Sequence, residues 1–143
     1  MTKAIYSAQA HVTGGRQGRG RTSDGRLDVD LRMPKELGGD GEGVNPEQLF
    51  AMGYAACFGS VLGLLGQRDG VKTDDATIDA TVSLIPAGGG TFKLGAELDV
   101  TLPSVEDGGR AAELVRAAHQ VCPYSSATRG NVDVAFTVNG TPL

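Results

Sequence analysis

A chain of 143 residues with a formal net charge of -4 is long enough to bury the core of one domain. Its charges of both signs are interspersed. It therefore offers no basic patch, and neither nucleic acid nor an anionic membrane is expected as a partner. Met1 to Tyr6 has no long apolar run behind Lys3 and does not read as a signal peptide. The expected compartment is the cytoplasm, where a permanent disulfide would be unusual.

Residues 3 to 12 alternate loosely and predict a strand, and Thr13 to Gly20 reads as a flexible glycine-rich loop. Ser23-Asp24-Gly25 is a turn signal leading into a strand with Leu27, Val29 and Leu31 on one face. Pro34 to Val44 is a second glycine-rich loop, ending at a helix that runs from Asn45 to about Gln67. Asn45 caps that helix, Pro46 suits its first position, and Glu47 and Gln48 favour its first turn. The stretch from Leu49 to Leu65 is short for a bilayer span and rich in Gly, Ala and Ser. It predicts a helix buried on most sides. Each helix glycine costs about 1 kcal/mol relative to alanine, so close packing must offset Gly53, Gly59 and Gly63.

Residues 76 to 85 predict a strand, Gly88-Gly89-Gly90 a turn, and the alternation from Phe92 to Leu102 a second strand. Gly108 to Val121 predicts a helix with Ala111, Leu114, Val115, Ala118 and Val121 on one stripe; Cys122 lies at its end, where Pro123 interrupts it. Val132, Val134, Phe136 and Val138 make a last strand. The order predicts a single α+β domain over residues 1–143, with antiparallel sheets around a long buried central helix.

The chain has two cysteines, Cys57 in the apolar helix and Cys122 beside Pro123. A free cysteine in an apolar helix ordinarily fills space. Two thiols far apart in sequence, with no export signal, suggest redox chemistry more than a staple. Cys57, Cys122, His11 and His119 could in principle ligate a metal. However, no Cys-x-x-Cys and no closely spaced histidine pair is present, so neither a metal nor another cofactor is expected.

Several segments together resemble the organic hydroperoxide resistance family, within the osmotically inducible protein C-like (OsmC-like) fold. They are Gly14-Gly15-Arg16, Asn45-Pro46-Glu47-Gln48-Leu49-Phe50-Ala51, Gly53-Tyr54-Ala55-Ala56-Cys57-Phe58, and Cys122-Pro123-Tyr124-Ser125 followed by Ala127-Thr128-Arg129-Gly130-Asn131. The resemblance covers nearly the whole chain in order and spacing. Met52 departs from it, standing where small residues are common. The resemblance implies a thiol peroxidase in which Cys57 is the attacking thiol, Cys122 the resolving one, and Arg16 with Glu47 the activating pair. It implies an organic hydroperoxide as substrate and a dithiol reductant, such as a dihydrolipoyl group on a lipoylated protein, and it supports a homodimer.

The residue types suit that chemistry. A free cysteine is only about 3% thiolate at pH 7, and apolar burial lowers that fraction further. Bringing its pKa to about 6 requires roughly 3.4 kcal/mol. One guanidinium at contact distance in a partly dry site supplies that order of energy, and a carboxylate can hold its plane in place. Glu47 and Cys57 are ten residues apart, about 15 Å along one straight helix. Either that helix breaks between them, or they meet across two subunits. Phe50, Phe58 and Tyr124 line an apolar entrance for alkyl or fatty-acyl hydroperoxides, or else pack as plain core. The competing function is a redox sensor or binding protein of the same fold, with the cysteine pair as a switch and no efficient turnover.

Overall fold

The computed structural model describes residues 2–143, in two compact units, Met1–Leu49 and Phe50–Leu143.

The first unit is built on a three-stranded antiparallel sheet, β1 (Ala10–Thr13), β2 (Gly18–Thr22) and β3 (Asp28–Leu31), paired in that order. The strand expected over residues 3 to 12 is thus confined to its last residues. The segment expected to be a loose loop from Thr13 to Gly20 is ordered: one 3-10 turn, Gly15–Gln17, leads directly into β2. The reversal depends on glycine. Gly14 and Gly15 sit at φ 72° and 57°, a region that side chains disfavour. A Cβ at Gly18 would collide with the Thr13 carbonyl. Gln17 Oε1 accepts the Met33 N–H at 2.8 Å, tying the turn to the chain beyond β3. The Pro34–Val44 segment contains a second 3-10 turn, Lys35–Leu37, and Val44 bridges back to Leu31.

The unit ends in the first turn of α1 (Pro46–Asp69). Asn45 Oδ1 accepts the Gln48 N–H at 2.9 Å, and Gln48 Oε1 accepts the Asn45 N–H at 3.0 Å. This reciprocal capping box is the local reason the helix starts where the sequence predicts.

The second unit holds the rest of α1 and a four-stranded sheet of β4 (Thr77–Gly88), β5 (Thr91–Thr101), β6 (Asp133–Val138) and β7 (Thr141–Pro142), in that order. β4 and β5 form a long antiparallel hairpin through the predicted glycine turn. β6 runs parallel to β5, a departure from the antiparallel expectation. Two helices connect these strands, α2 (Gly108–Val121) and α3 (Pro123–Thr128), and such a crossover returns the chain in the same direction. The core packs Tyr54, Phe58, Leu62 and Leu65 of α1 with Leu98 and Val100 of β5, Leu114, Val115 and Ala118 of α2, and Phe136 of β6. Each large apolar side chain fully buried there contributes about 1.5–3 kcal/mol.

α1 runs without interruption from Pro46 to Asp69, so no helix break separates Glu47 from Cys57. Within one chain, α1 is buried along one face. Tyr54, Phe58, Val61, Leu62, Leu65 and Gly66 are buried, whereas Met52, Ala56, Ser60 and Leu64 form an exposed stripe at four-residue spacing. Met52 is 71% and Leu64 63% exposed. By length and mean hydropathy, 1.7, α1 could also cross a bilayer, but its Tyr54-Phe58-Leu62 face belongs to the core cluster.

Candidate active site

The 3-10 turn after β1 presents Arg16, and the first turn of α1 presents Glu47. Arg16 Nη1 and Nη2 donate to Glu47 Oε2 and Oε1 at 2.8 and 2.7 Å. This is the two-pronged geometry that a guanidinium and a carboxylate share. The side chains keep 32% and 15% of their exposure, so the pair fixes geometry more than it stabilises the fold. The Arg16 hydrogen bond holds the Glu47 carboxyl below its ordinary pKa, and Glu47 in turn raises that of Arg16. Both stay charged through the neutral range.

Cys57 lies on α1, and Cys122 at the junction of α2 and α3. Both thiols are free, and their sulfurs are 3.7 Å apart. Pro123 does not simply end a helix. Cys122 is at once the C-cap of α2 and the N-cap of α3, with Pro123 at the first position of the new helix. Its N–H donates to the Ala118 carbonyl at 2.8 Å, and its carbonyl accepts the Ser126 N–H at 2.9 Å. Cys122 is fully buried and Cys57 partly exposed. Burial pushes the Cys57 thiol pKa up; the backbone N–H of Tyr124 opposes this, and the neighbouring Cys122 adds to the rise. The Cys57 sulfur therefore sits where burial disfavours its thiolate.

Aromatic rings of α1 and α3 pack against one another. Tyr124 packs edge-on to Phe50 with centroids 6.1 Å apart, and 5.8 Å from the Tyr54 ring. Gly53 permits this, because a Cβ there would lie 2.9 Å from the Tyr124 hydroxyl. Tyr124 is 39% exposed, whereas Phe58 is closed to solvent and packs on Phe136 at 5.2 Å. Phe58 thus takes the core position, and Phe50 and Tyr124 stand nearer the surface.

A polar network lies beneath these rings. The Tyr54 hydroxyl is 2.7 Å from Ser125 Oγ and 3.2 Å from Thr128 Oγ1; Ser125 Oγ is 2.8 Å from His119 Nδ1. Arg129 Nη1 donates to the His119 carbonyl at 2.6 Å. Burial, then the charge of Arg129, pushes the His119 pKa down, so its imidazole is neutral at pH 7. With Nδ1 accepting from Ser125 and Tyr54 donating to Ser125, the Thr128 proton has two acceptors, the Tyr54 oxygen and the Ser125 carbonyl, each at 3.2 Å. Every hydroxyl proton then has a partner. Removing one partner of such a buried set costs about 1–3 kcal/mol. Among the described residues, no three His, Cys, Asp or Glu side chains converge as a metal site.

The OsmC-like protein family model matches residues 39–137. The organic hydroperoxide resistance protein of Xanthomonas axonopodis pv. citri is 47% identical over 138 residues, covering 95% of this chain and 96% of its own. The organic hydroperoxide resistance protein OhrB of Bacillus subtilis is 46% identical over 132 residues, covering 92% and 96%. The crystal structure of an organic hydroperoxide resistance protein from Legionella pneumophila superposes with a TM-score of 0.90 at 46% identity, over 95% of this chain and 98% of that one. The chain belongs to the organic hydroperoxide resistance family of OsmC-like proteins.

For this organic hydroperoxide resistance family member, the sequence motifs point to residues that meet in two pairs: Arg16 with Glu47, and Cys57 with Cys122. What they leave out is the polar set behind the thiols. Tyr54, Ser125 and Thr128 all lie inside those motifs, and His119 is three residues before Cys122. His119 alone carried a signal, four residues after Val115 of the predicted apolar stripe; Ser125 and Thr128 fall where no helix is predicted.

Proposed function

We propose that the chain is a thiol-dependent peroxidase that reduces organic hydroperoxides to alcohols. The observation that carries this reading is the 3.7 Å separation of two free sulfurs, one partly exposed and one buried. The Cys57 thiolate attacks the terminal peroxide oxygen and the O–O bond breaks. The sulfur, oxidised by two electrons, becomes a sulfenic acid, and the alkoxide leaves and takes a proton to become the alcohol. The Cys122 thiol then attacks the Cys57 sulfur. An S–S bond forms, the S–O bond breaks, and the hydroxyl departs with the Cys122 proton as water. An external dithiol, such as a dihydrolipoyl group on a lipoylated protein, restores both thiols by exchange and is itself oxidised to a disulfide.

Arg16, held in plane by Glu47, supplies the cation that offsets the burial of Cys57. Phe50 and Tyr124 favour substrates with apolar tails, at about 0.8 kcal/mol per methylene buried. Hydrogen peroxide has no methylene to bury. The protein works in the cytoplasm, where thiols are kept reduced.

The working unit is a homodimer, and two observations support it. The exposed stripe on α1 adjoins a shallow groove of about 450 Å³ lined by Ala51, Met52, Ala55, Gly59 and Ile78 among others, an apolar surface suited to a second copy. α1 also runs unbroken through the ten residues from Glu47 to Cys57, about 15 Å along its axis, which favours the Arg16–Glu47 pair of one copy serving Cys57 of the other. Mixing Cys57→Ser and Glu47→Ala proteins after dissociation then rebuilds one intact site per heterodimer and restores turnover. If both residues of a site come from one chain, every site carries a lesion and mixing restores nothing. A monomer by light scattering would remove the dimer altogether.

Steady-state turnover with an aryl or alkyl hydroperoxide and a dithiol tests the reading. A redox sensor oxidises once and stops, whereas a peroxidase cycles. Cys122→Ser separates the steps. It should leave the first attack intact and trap Cys57 as sulfenic acid or drive it to sulfinic acid, read by thiol trapping and mass measurement after one equivalent of peroxide. Unmodified Cys57, or full dithiol-dependent cycling in that variant, would remove Cys122 as the resolving thiol.

A further inference from the structure

We infer that the buried Tyr54–Ser125–His119 hydrogen-bond chain is a positioning device for Cys122, holding α3 against α1 so that the second thiol stays within reach of the first. The chemistry it serves rests on the peroxidase reading above. The geometry is that of two links between the same two elements, one helical turn apart. Tyr54 and Cys57 are three residues apart and share one face of α1. Cys122 and Ser125 have the same spacing across the first turn of α3. The sulfurs stand 3.7 Å apart, and the Tyr54 and Ser125 oxygens 2.7 Å. His119 completes the corner by joining the last turn of α2 to Ser125 at 2.8 Å, and Thr128 joins Tyr54 at 3.2 Å.

The resolving step needs such a clamp. The sulfurs must close from 3.7 Å to a bond of about 2.05 Å, so a small displacement suffices only if α3 does not swing away. A sulfenic acid left waiting meets a second peroxide and passes to sulfinic acid, a dead end for the cycle. Tyr54, Ser125 and Thr128 are 0%, 0% and 2% exposed, so no solvent can substitute for a lost partner.

The test measures the closure directly. The effective concentration of the Cys57–Cys122 disulfide in a glutathione redox buffer needs no peroxide. Tyr54→Phe should lower it about tenfold, on the scale of one buried hydrogen bond. Ser125→Ala should do the same, and the double variant should fall little further, because both break one chain. Thr128→Val should lower it too, while Thr128→Ser, which keeps the hydroxyl, should hold the parent value. With hydroperoxide in excess, the first oxidation of Cys57 should stay within about twofold of the parent. The fraction reaching sulfinic acid should rise about tenfold. Thermal unfolding and circular dichroism identify which variants fold, and Thr128→Val decides if Tyr54→Phe does not. A folded Tyr54→Phe or Thr128→Val protein with the parent's effective concentration overturns the inference, as does equal slowing of both steps. A parent that forms the disulfide with glutathione yet consumes no hydroperoxide overturns the peroxidase reading alone.

Discussion

Cys57→Ser protein will turn over no organic hydroperoxide with a dithiol, to within the uncatalysed background. The substitution changes one atom, but a serine hydroxyl is un-ionised at any working pH, and its oxygen has no stable oxidised state corresponding to a sulfenic acid. The remaining thiol does not substitute. Cys122 is 0% exposed and would have no second sulfur with which to close a disulfide. The side chain at 57 only packs against the margin of the core, so the fold should survive, with a loss of about 1 kcal/mol that thermal unfolding can check. Dithiol consumption under excess hydroperoxide is the measurement. Activity within tenfold of the parent would sink the assignment of Cys57, and with it the proposed reaction.

The parts of the molecule legible in the sequence are those set by local physics. α2 follows its apolar stripe from Ala111 to Ala118, β5 its alternation, and the start of α1 its Asn45–Gln48 capping box. The parts that are not legible depend on distant partners. β2 reads Gly-Arg-Gly-Arg-Thr, with no intrinsic strand preference; its pairing with β1 and β3 imposes the conformation. β6 carries the same alternation whether its neighbour runs parallel or antiparallel, and only the length of the α2–α3 crossover fixes the direction. α3 is hidden in the sequence because Pro123 reads as a stop, although proline at a first helical position is equally a start. The site divides in the same way. The family resemblance points to Arg16, Glu47, Cys57 and Cys122, but the 3.7 Å between sulfurs 65 residues apart is a product of packing. Tyr54 looks like one more apolar helix residue because its hydroxyl partner lies on the unforeseen α3. Within one chain the burial of α1 covers one face, for a related reason: composition reports that a helix is apolar, not which molecule covers it.

Arg16→Ala should slow the reaction of Cys57 with hydroperoxide by about a hundredfold, the scale for one preorganised charge at a reacting centre. Two contributions combine, and pH separates them. The first is thiolate supply. Burial already raises the Cys57 pKa, so removing the cation proposed to offset it should move the titration to higher pH still, and thiolate absorbance follows that movement directly. A tenfold weaker acid carries about tenfold less thiolate at pH values below both midpoints, and the deficit closes as pH rises through them. The second is stabilisation of charge developing on the peroxide oxygens, which pH does not restore. The rate deficit should therefore shrink toward alkaline pH and settle on a plateau set by the second contribution alone. Glu47 does not confuse the profile: Arg16→Ala removes the hydrogen bond that lowers its pKa, but an ordinary carboxyl titrates at about 4.3 and so stays ionised across the range in which a thiol titrates. Arg16→Lys keeps the charge but loses the planar fork that grips both Glu47 oxygens at 2.7 and 2.8 Å, so it should bring the titration part of the way back and recover less of the plateau. A thiolate titration unchanged by Arg16→Ala would leave Arg16 a structural residue of its turn and require another cation for Cys57.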